Sequence, residues 1–412
     1  MNRTNIYSRY FLCLTICSIF YVALFYIINV YVFNLRSTYF DETFYIKAGL
    51  AYLKGEDPSM INYEHPPLAK YLIGLSKYVT DNPRIFSWLL GLVGCLITFI
   101  ITHHLTNDYL KSCLASCLLA SDLLFIRVSY HALLDVYSVT FSLIAILFII
   151  KYLKGKRIYL VYSSIFMALS LSSKWNVAYI ALLIFIFLFY IAKKRKRIFD
   201  LILFISIIIT IYSLTYIHTI ILKGVKGFID TQLKALEYHS IAHSPTLLTL
   251  INGYSKLFTK ISLWPSFGHI TLVLKNNTLF TIMGANIINL SVMNGTASYT
   301  AMYQGLEVQI EPWIGSLTWF LALPLTYYII LQVKRFEMPV KLTCIAYLGA
   351  LASLVHGDID WYYYIVLHYL YILIVTIWKR SYTYILLILS LVYIYIILHL
   401  NLLNARITFT LT

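Results

Sequence analysis

The chain has 412 residues, 60% of them apolar and only 12% charged, with a net charge of +15 and a mean hydropathy of +0.77. A soluble domain carries about a quarter charged residues, so a water-soluble enzyme, a nucleic-acid-binding domain and a secreted disulfide scaffold are all excluded. Lipid is the solvent for most of this chain.

A hydrocarbon core about 30 Å thick takes roughly 20 apolar residues per helix. The first apolar run, near 12–33, lacks a small-residue cleavage site and reads as a signal anchor. A polar stretch over 34–84 follows, and then runs near 85–102, 112–126, 133–150, 158–173, 175–192 and 199–222. A second polar stretch covers 223–313, and four more runs lie near 314–333, 340–356, 361–378 and 383–400. The expectation is an all-α polytopic membrane protein with about eleven transmembrane helices, a single integral domain over 1–412. Two loop regions, 34–84 and 223–313, are too long for tight turns and should fold on the membrane surface. Cys13, Cys17, Cys95, Cys113, Cys117 and Cys344 all fall in apolar runs without CxxC spacing, which reads as packing.

Lys and Arg set the orientation. With the N-terminus in the cytoplasm, the inner segments hold 17 basic and three acidic residues, the outer ones 15 and 14. The excess charge is therefore topogenic, and the KKRKR run at 193–197 is an inner anchor, not a nucleic-acid signal. Both long loops then lie outside, as do Asp41, Glu42, Glu64, Asp135, Asp358 and Asp360, together with Arg84, Arg127 and Lys174. Asn-x-Ser/Thr sequons at Asn276, Asn289 and Asn294 fall on the same side. The chemistry is expected to be extracytoplasmic, which excludes cytosolic nucleotide donors.

Asp41-Glu42 sits early in the first loop, where two carboxylates either complement the dipole of a surface helix or supply a base for an incoming hydroxyl. Glu64-His65-Pro66-Pro67-Leu68-Ala69-Lys70 follows; its two prolines fix φ and make a stiff corner. Arg84 stands before the next run, and Asp135 ends LLFIRVSYHALLD. Lys174-Trp175 closes the fifth span; it suits either interfacial anchoring or, with Arg84, phosphate binding. Gln232, Tyr238, His239 and His243 follow the seventh span, and the His pair at i,i+4 lacks a nearby third zinc ligand.

The order of these pieces resembles the protein O-mannosyltransferase family, dolichyl-phosphate-mannose-dependent members of the C-type glycosyltransferase superfamily. The resemblance covers roughly residues 10–290, and HPPLAK and SSKW are its most specific parts. It implies the C-type glycosyltransferase fold and inverting transfer of mannose from dolichyl phosphate to protein Ser/Thr hydroxyls on the extracytoplasmic side of a cell or ER membrane. The family usually has an Arg where this chain has Tyr130, with Arg127 one turn away, and the segment 356–364 is acidic where a basic residue is expected.

On this reading Asp41 and Glu42 are catalytic, Asp41 as base. His65, Arg84, Arg127, Asp135, Lys174, Tyr238 and His239 bind substrate, with Arg84 and Lys174 on the donor phosphate. No cofactor or resident metal is required, although a divalent ion is not excluded. The partners are a dolichyl-phosphate-sugar, a protein or peptide acceptor and membrane lipid, without nucleic acid; a homo- or heterodimer is left open. Two alternatives stand beside it. The nearer is a transferase of the same fold acting on a lipid or glycan acceptor. The farther is a multi-pass transporter, which would place ionisable groups at mid-membrane in broken pseudo-repeats.

Overall fold

The computed structural model describes residues 3–31, 40–243, 281–282, 285–293, 296–303, 306–310, 316, 321–354 and 363–402. Its body is helical throughout. Helix α1 is Arg3–Tyr31, α2 Phe40–Leu53, α3 Leu68–Thr80, α4 Ile85–Thr106, α5 Tyr109–Ala120, α6 Leu123–Tyr130 and α7 Leu134–Leu153. Then come α8 Ile158–Leu171, α9 Ala178–Lys194, α10 Ile198–Thr215, α11 Ile217–His243, α12 Ala322–Gln332, α13 Met338–Ser353, α14 Tyr364–Ile377 and α15 Arg380–Leu402.

Five helical segments have the length and composition of a membrane span: Ser8–Val30, Ile85–Thr106, Leu134–Leu153, Trp175–Lys194 and Ile198–Thr215. A sixth is α5 with α6, bent by 65°. This makes the chain an integral membrane protein, and among the described residues the count falls short of the eleven straight spans expected. The reason is local. Ile158–Leu171, Met338–Ser353 and Tyr364–Ile377 are apolar but shorter; at 1.5 Å per residue, helices of 14 to 16 residues do not cover a 30 Å core. The apolar run at 112–126 is broken at Ser121-Asp122, where Asp122 caps α6 by accepting from the Phe125 N–H at 3.0 Å. The run at 199–222 ends at Thr215 and re-forms as α11.

Strands are the second departure. Within the 223–313 loop, β1 Thr281–Ile282, β2 Ala285–Met293, β3 Thr296–Tyr303 and β4 Leu306–Ile310 form an antiparallel sheet in the order β1-β2-β3-β4. Asn286 pairs with Met302 and Tyr299 with Ile310. The β-branched and aromatic content of these segments suits a pleated surface. Asn289 lies in β2; Asn276, Asn294, Asp358 and Asp360 fall outside the described residues.

Helix α7 is the centre of the body, packed on α4 and α8, and α14 is buried from Tyr364 to Val375. Helices α2 and α3 pair more closely than side chains would allow. A Cβ on Gly49 would lie 2.1 Å from the Lys70 carbonyl oxygen and 2.9 Å from the Gly74 Cα, so both glycines are required for the backbones to touch. This contact aims the start of α2 at the neighbouring ends of α3, α4 and α7.

Candidate functional site

Glu42 is the most constrained group at this end of the body, 1% exposed. Arg84, just before α4, grips it with two hydrogen bonds, Nε to Oε1 at 2.6 Å and Nη2 to Oε2 at 2.7 Å. The Ala132 N–H donates to Oε1 at 2.9 Å, and His131 Nδ1 lies 3.3 Å from Oε2. Burial alone would raise the Glu42 pKa; His131, Arg84 and the Ala132 amide outweigh it and bring it down to about 2. Burial, opposed by Glu42, lowers His131 to about 4, so its ring is neutral and donates through Nδ1. The Arg84 guanidinium also stacks on Tyr130, 4.6 Å from the ring centroid, and Tyr130 stacks on Trp88 in turn. At the position where a family Arg was expected, the chain thus presents an aromatic face to another arginine.

Asp41, one residue earlier, is different. It is half-buried and takes part in no hydrogen bond or ion pair among the described residues. Burial raises its pKa, Lys174 lowers it, and Asp135 and Glu64 raise it again. A carboxylate with an elevated pKa, close to a lysine and uncommitted, has the chemistry of a proton acceptor.

Lys174, between α8 and α9, is 4% exposed and donates to Asp135 Oδ2 at 2.8 Å. Asn176 Nδ2 holds the other Asp135 oxygen at 2.9 Å. The corner containing His65 is tied from beneath: buried Lys70 donates to the carbonyls of Asn62 and of His65, the latter at 2.7 Å. Burial lowers the Lys70 pKa to about 7, opposed by Glu64. The Leu68 N–H reaches the Ser172 carbonyl at 3.0 Å, joining this corner to the loop that carries Lys174. From α11, His239 donates through Nε2 to the Glu64 carbonyl at 2.7 Å, its ring 5.3 Å from that of His65 and 5.8 Å from that of Trp175. Burial lowers the His239 pKa. Tyr238 is exposed beside Tyr63. Arg127, buried in α6, lies near enough to influence His131. The His243 side chain lies outside the described residues, among which no three His, Cys, Asp or Glu residues could hold a metal.

Beside this cluster opens a cavity of about 760 Å³. His65, Lys174, Trp175, Asn176, Tyr179, Tyr212, Ser213, Gln232, His239 and Ser353 give it polar groups; Leu171, Ala178, Ile208, Ile209, Phe228 and Leu236 form its apolar walls. Trp175 Nε1 donates to the Tyr212 hydroxyl at 2.9 Å, which donates to Gln232 Oε1 at 2.7 Å. Sequence reasoning missed this cavity because α10 contributes to it with aliphatic residues that look like any lipid-facing stretch. It also missed that each expected phosphate cation comes with its own carboxylate, a pairing only the fold makes.

Residues 64–217 match the family model of dolichyl-phosphate-mannose-protein mannosyltransferases. The matched stretch takes in His65, Arg84, Arg127, Asp135 and Lys174; it starts after Asp41-Glu42 and ends before Gln232. No curated protein matches the chain.

Proposed function

With residues 64–217 carrying the signature of that family, a polyprenyl-phosphate-sugar glycosyltransferase, we propose that the chain transfers a sugar, mannose, from dolichyl phosphate to Ser/Thr hydroxyls of a protein on the extracytoplasmic face. The observation that carries this reading is the contrast between Asp41, uncommitted with an elevated pKa, and the apolar cavity next to it that ends in Lys174, His65 and His239.

The apolar walls suit the first isoprene units of the donor, and the polar end suits its phosphosugar. The acceptor hydroxyl oxygen attacks the anomeric carbon and gives its proton to Asp41. The bond from that carbon to the phosphate oxygen breaks, its electron pair leaves on polyprenyl phosphate, and the sugar is inverted. A phosphate monoester leaves without a general acid, so positive charge at the phosphate suffices. Lys174 supplies that charge as one member of the Lys174–Asp135 pair, with Asn176 holding the pair in place. Arg84 acts at one remove: its Nε and Nη2 are engaged by Glu42, and together they fix the start of α2 that bears Asp41. Glu42 is then a positioning residue. The low number of ionisable groups along the spans, gathered instead at the two ends, favours this reading over transport.

Purified protein given dolichyl-phosphate-mannose and a Ser/Thr-rich peptide should form mannosyl peptide. A donor consumed only when a lipid or glycan acceptor replaces the peptide would move the assignment to the other acceptor class, and a donor that neither binds nor reacts would sink it.

A further inference from the structure

We infer that the end of the body opposite Asp41 carries a binding site for an anionic lipid whose headgroup bears more than one phosphate, built where the α7–α8 and α9–α10 turns meet. The first turn brings Lys151, Lys154, Lys156 and Arg157, the second the KKRKR run at 193–197. Far apart in sequence, the two are joined in the fold. Arg195 Nη2 donates to the Leu153 carbonyl at 3.1 Å, its guanidinium 5.9 Å from the Tyr152 ring centroid. Asp200, at the start of α10, accepts from the Tyr152 hydroxyl at 2.9 Å and pairs with Arg157. Among the described residues it is the one carboxylate in an ion pair with either turn, so nine cations stand against one paired acid. Lys154, Lys156, Arg157 and the whole run at 193–197 are exposed. Topogenic charge needs only to lie in the inner loops; it does not require two loops to be fastened into one surface.

A second observation says what covers this surface. The cations stand at the ends of three spans, Leu134–Leu153, Trp175–Lys194 and Ile198–Thr215, which is headgroup depth. Large apolar side chains are exposed beside them: Ile158 by 51%, Tyr190 by 55% and Phe199 by 64%. Arg157 lies over the Phe199 ring, 5.5 Å from its centroid. Headgroup phosphates meet the cations while acyl chains meet the apolar residues; an acidic water-soluble partner would leave those residues uncovered. With most of the positive charge unmatched, a headgroup with several charges is held more strongly than one with a single charge, because each Lys or Arg adds its own attraction.

Native mass spectrometry of the full-length protein in neutral detergent, titrated with phosphatidylinositol bisphosphate, phosphatidylserine and phosphatidylcholine, reads the affinity for each. Inositol trisphosphate, a headgroup without chains, and a polyglutamate peptide are titrated alongside. The bisphosphorylated lipid should bind tightest, and its affinity should fall as salt is raised. Each Lys or Arg near an anionic surface contributes about fivefold. The double variants Lys154→Gln with Lys156→Gln, and Lys194→Gln with Lys196→Gln, should therefore each weaken that lipid by about 25-fold, with thermal unfolding in its absence unchanged. Should either double variant fail to insert, Phe199→Ser serves instead: it removes apolar surface and no charge, and should weaken the lipid while leaving inositol trisphosphate unaffected. Equal affinity for the bisphosphorylated lipid and phosphatidylcholine, or double variants that bind as the wild type does, overturn the site. A loss confined to one turn overturns its construction from both. Inositol trisphosphate binding as tightly as the lipid, or polyglutamate displacing the lipid, assigns the surface to a soluble polyanion and overturns the lipid as its occupant.

Discussion

The two ends of the helical body both carry ion pairs, but they use them in different ways. At the end bearing Asp41, the charges next to it are buried, Glu42 with Arg84, Asp135 with Lys174, and Lys70 on two backbone carbonyls, while Lys77–Asp81 and Lys223–Asp57 lie farther out and more exposed. At the other end of α7, Arg157, 53% exposed, meets the buried Asp200, and Arg380, equally exposed, meets Asp108. Exposed pairs are worth roughly 0–1 kcal/mol, whereas removing one partner of a buried pair costs roughly 3–5 kcal/mol. One end uses charge to hold water-facing loops together; the other uses it to fix geometry. Within the second, Asp41 is a half-buried carboxylate left without a hydrogen bond or ion pair among the described residues.

The sharpest way to break this contrast is to compare Asp41 with Glu42. On the proposed mechanism Asp41→Asn should fold, melt as the wild type and bind donor, yet lose about 10²- to 10⁴-fold in turnover, the usual contribution of a general base. Glycosyl transfer and thermal unfolding on the same sample check this, and activity within a few-fold of wild type would remove Asp41 from the role of base.

Glu42→Gln and Arg84→Met should instead show their first effect on stability, a loss of roughly 3–5 kcal/mol, visible as a lower melting temperature. Arg84→Lys should recover only part of it, because a point charge does not reproduce the two-toothed contact or the stacking on Tyr130. The same pairing gives a pH dependence of known sign. The folded Glu42 pKa, about 2, lies below its ordinary value of 4.5, so its contribution is fully present above that ordinary value and is lost as pH falls toward 2. Glu42→Gln should flatten this part of the unfolding-versus-pH curve. For Asp41 the shift runs the other way. Its raised pKa places the acid limb of kcat/KM above the ordinary carboxylate range, and activity should rise with pH through that limb.

The smallest effects belong to the opposite end. Arg380→Ala should change stability by less than about 1 kcal/mol and leave turnover untouched; a large loss of activity would mean that the two ends are not separate in function.

The helical, membrane-embedded class was legible in apolar content, and the neighbourhood of His65, Lys174 and His239 was legible in motif order, since HPPLAK and SSKW do converge on one cavity. What could not be read was partnership. Nothing near Glu42 in sequence announces Arg84 or the Ala132 amide, and composition cannot say which of two adjacent acids is buried. The same limit applied to span length: the run at 112–126 looks continuous, and only the capping of α6 by Asp122, accepting also from Tyr371 at 2.6 Å, turns one expected span into two helices. The strands between 281 and 310 went unseen because their alternation is short and lies in a loop read only for polarity.

Gly224 gives the wall of the cavity an unusual origin. Within α11 it adopts φ 69° and ψ −177°, a region open in practice to glycine alone. On one side of it, Thr219 and Lys223 are moored to Asp57; on the other, Gln232 is moored to Tyr212 and His239 to the Glu64 carbonyl. Two anchorages separated by an achiral joint need not keep a common helical register, so the distal half can roll to meet the cavity while the proximal half stays with its own loop. The fit of that wall is therefore decoupled from the length and pitch of the helix before it, much as a universal joint lets one shaft turn at an angle that the other does not share.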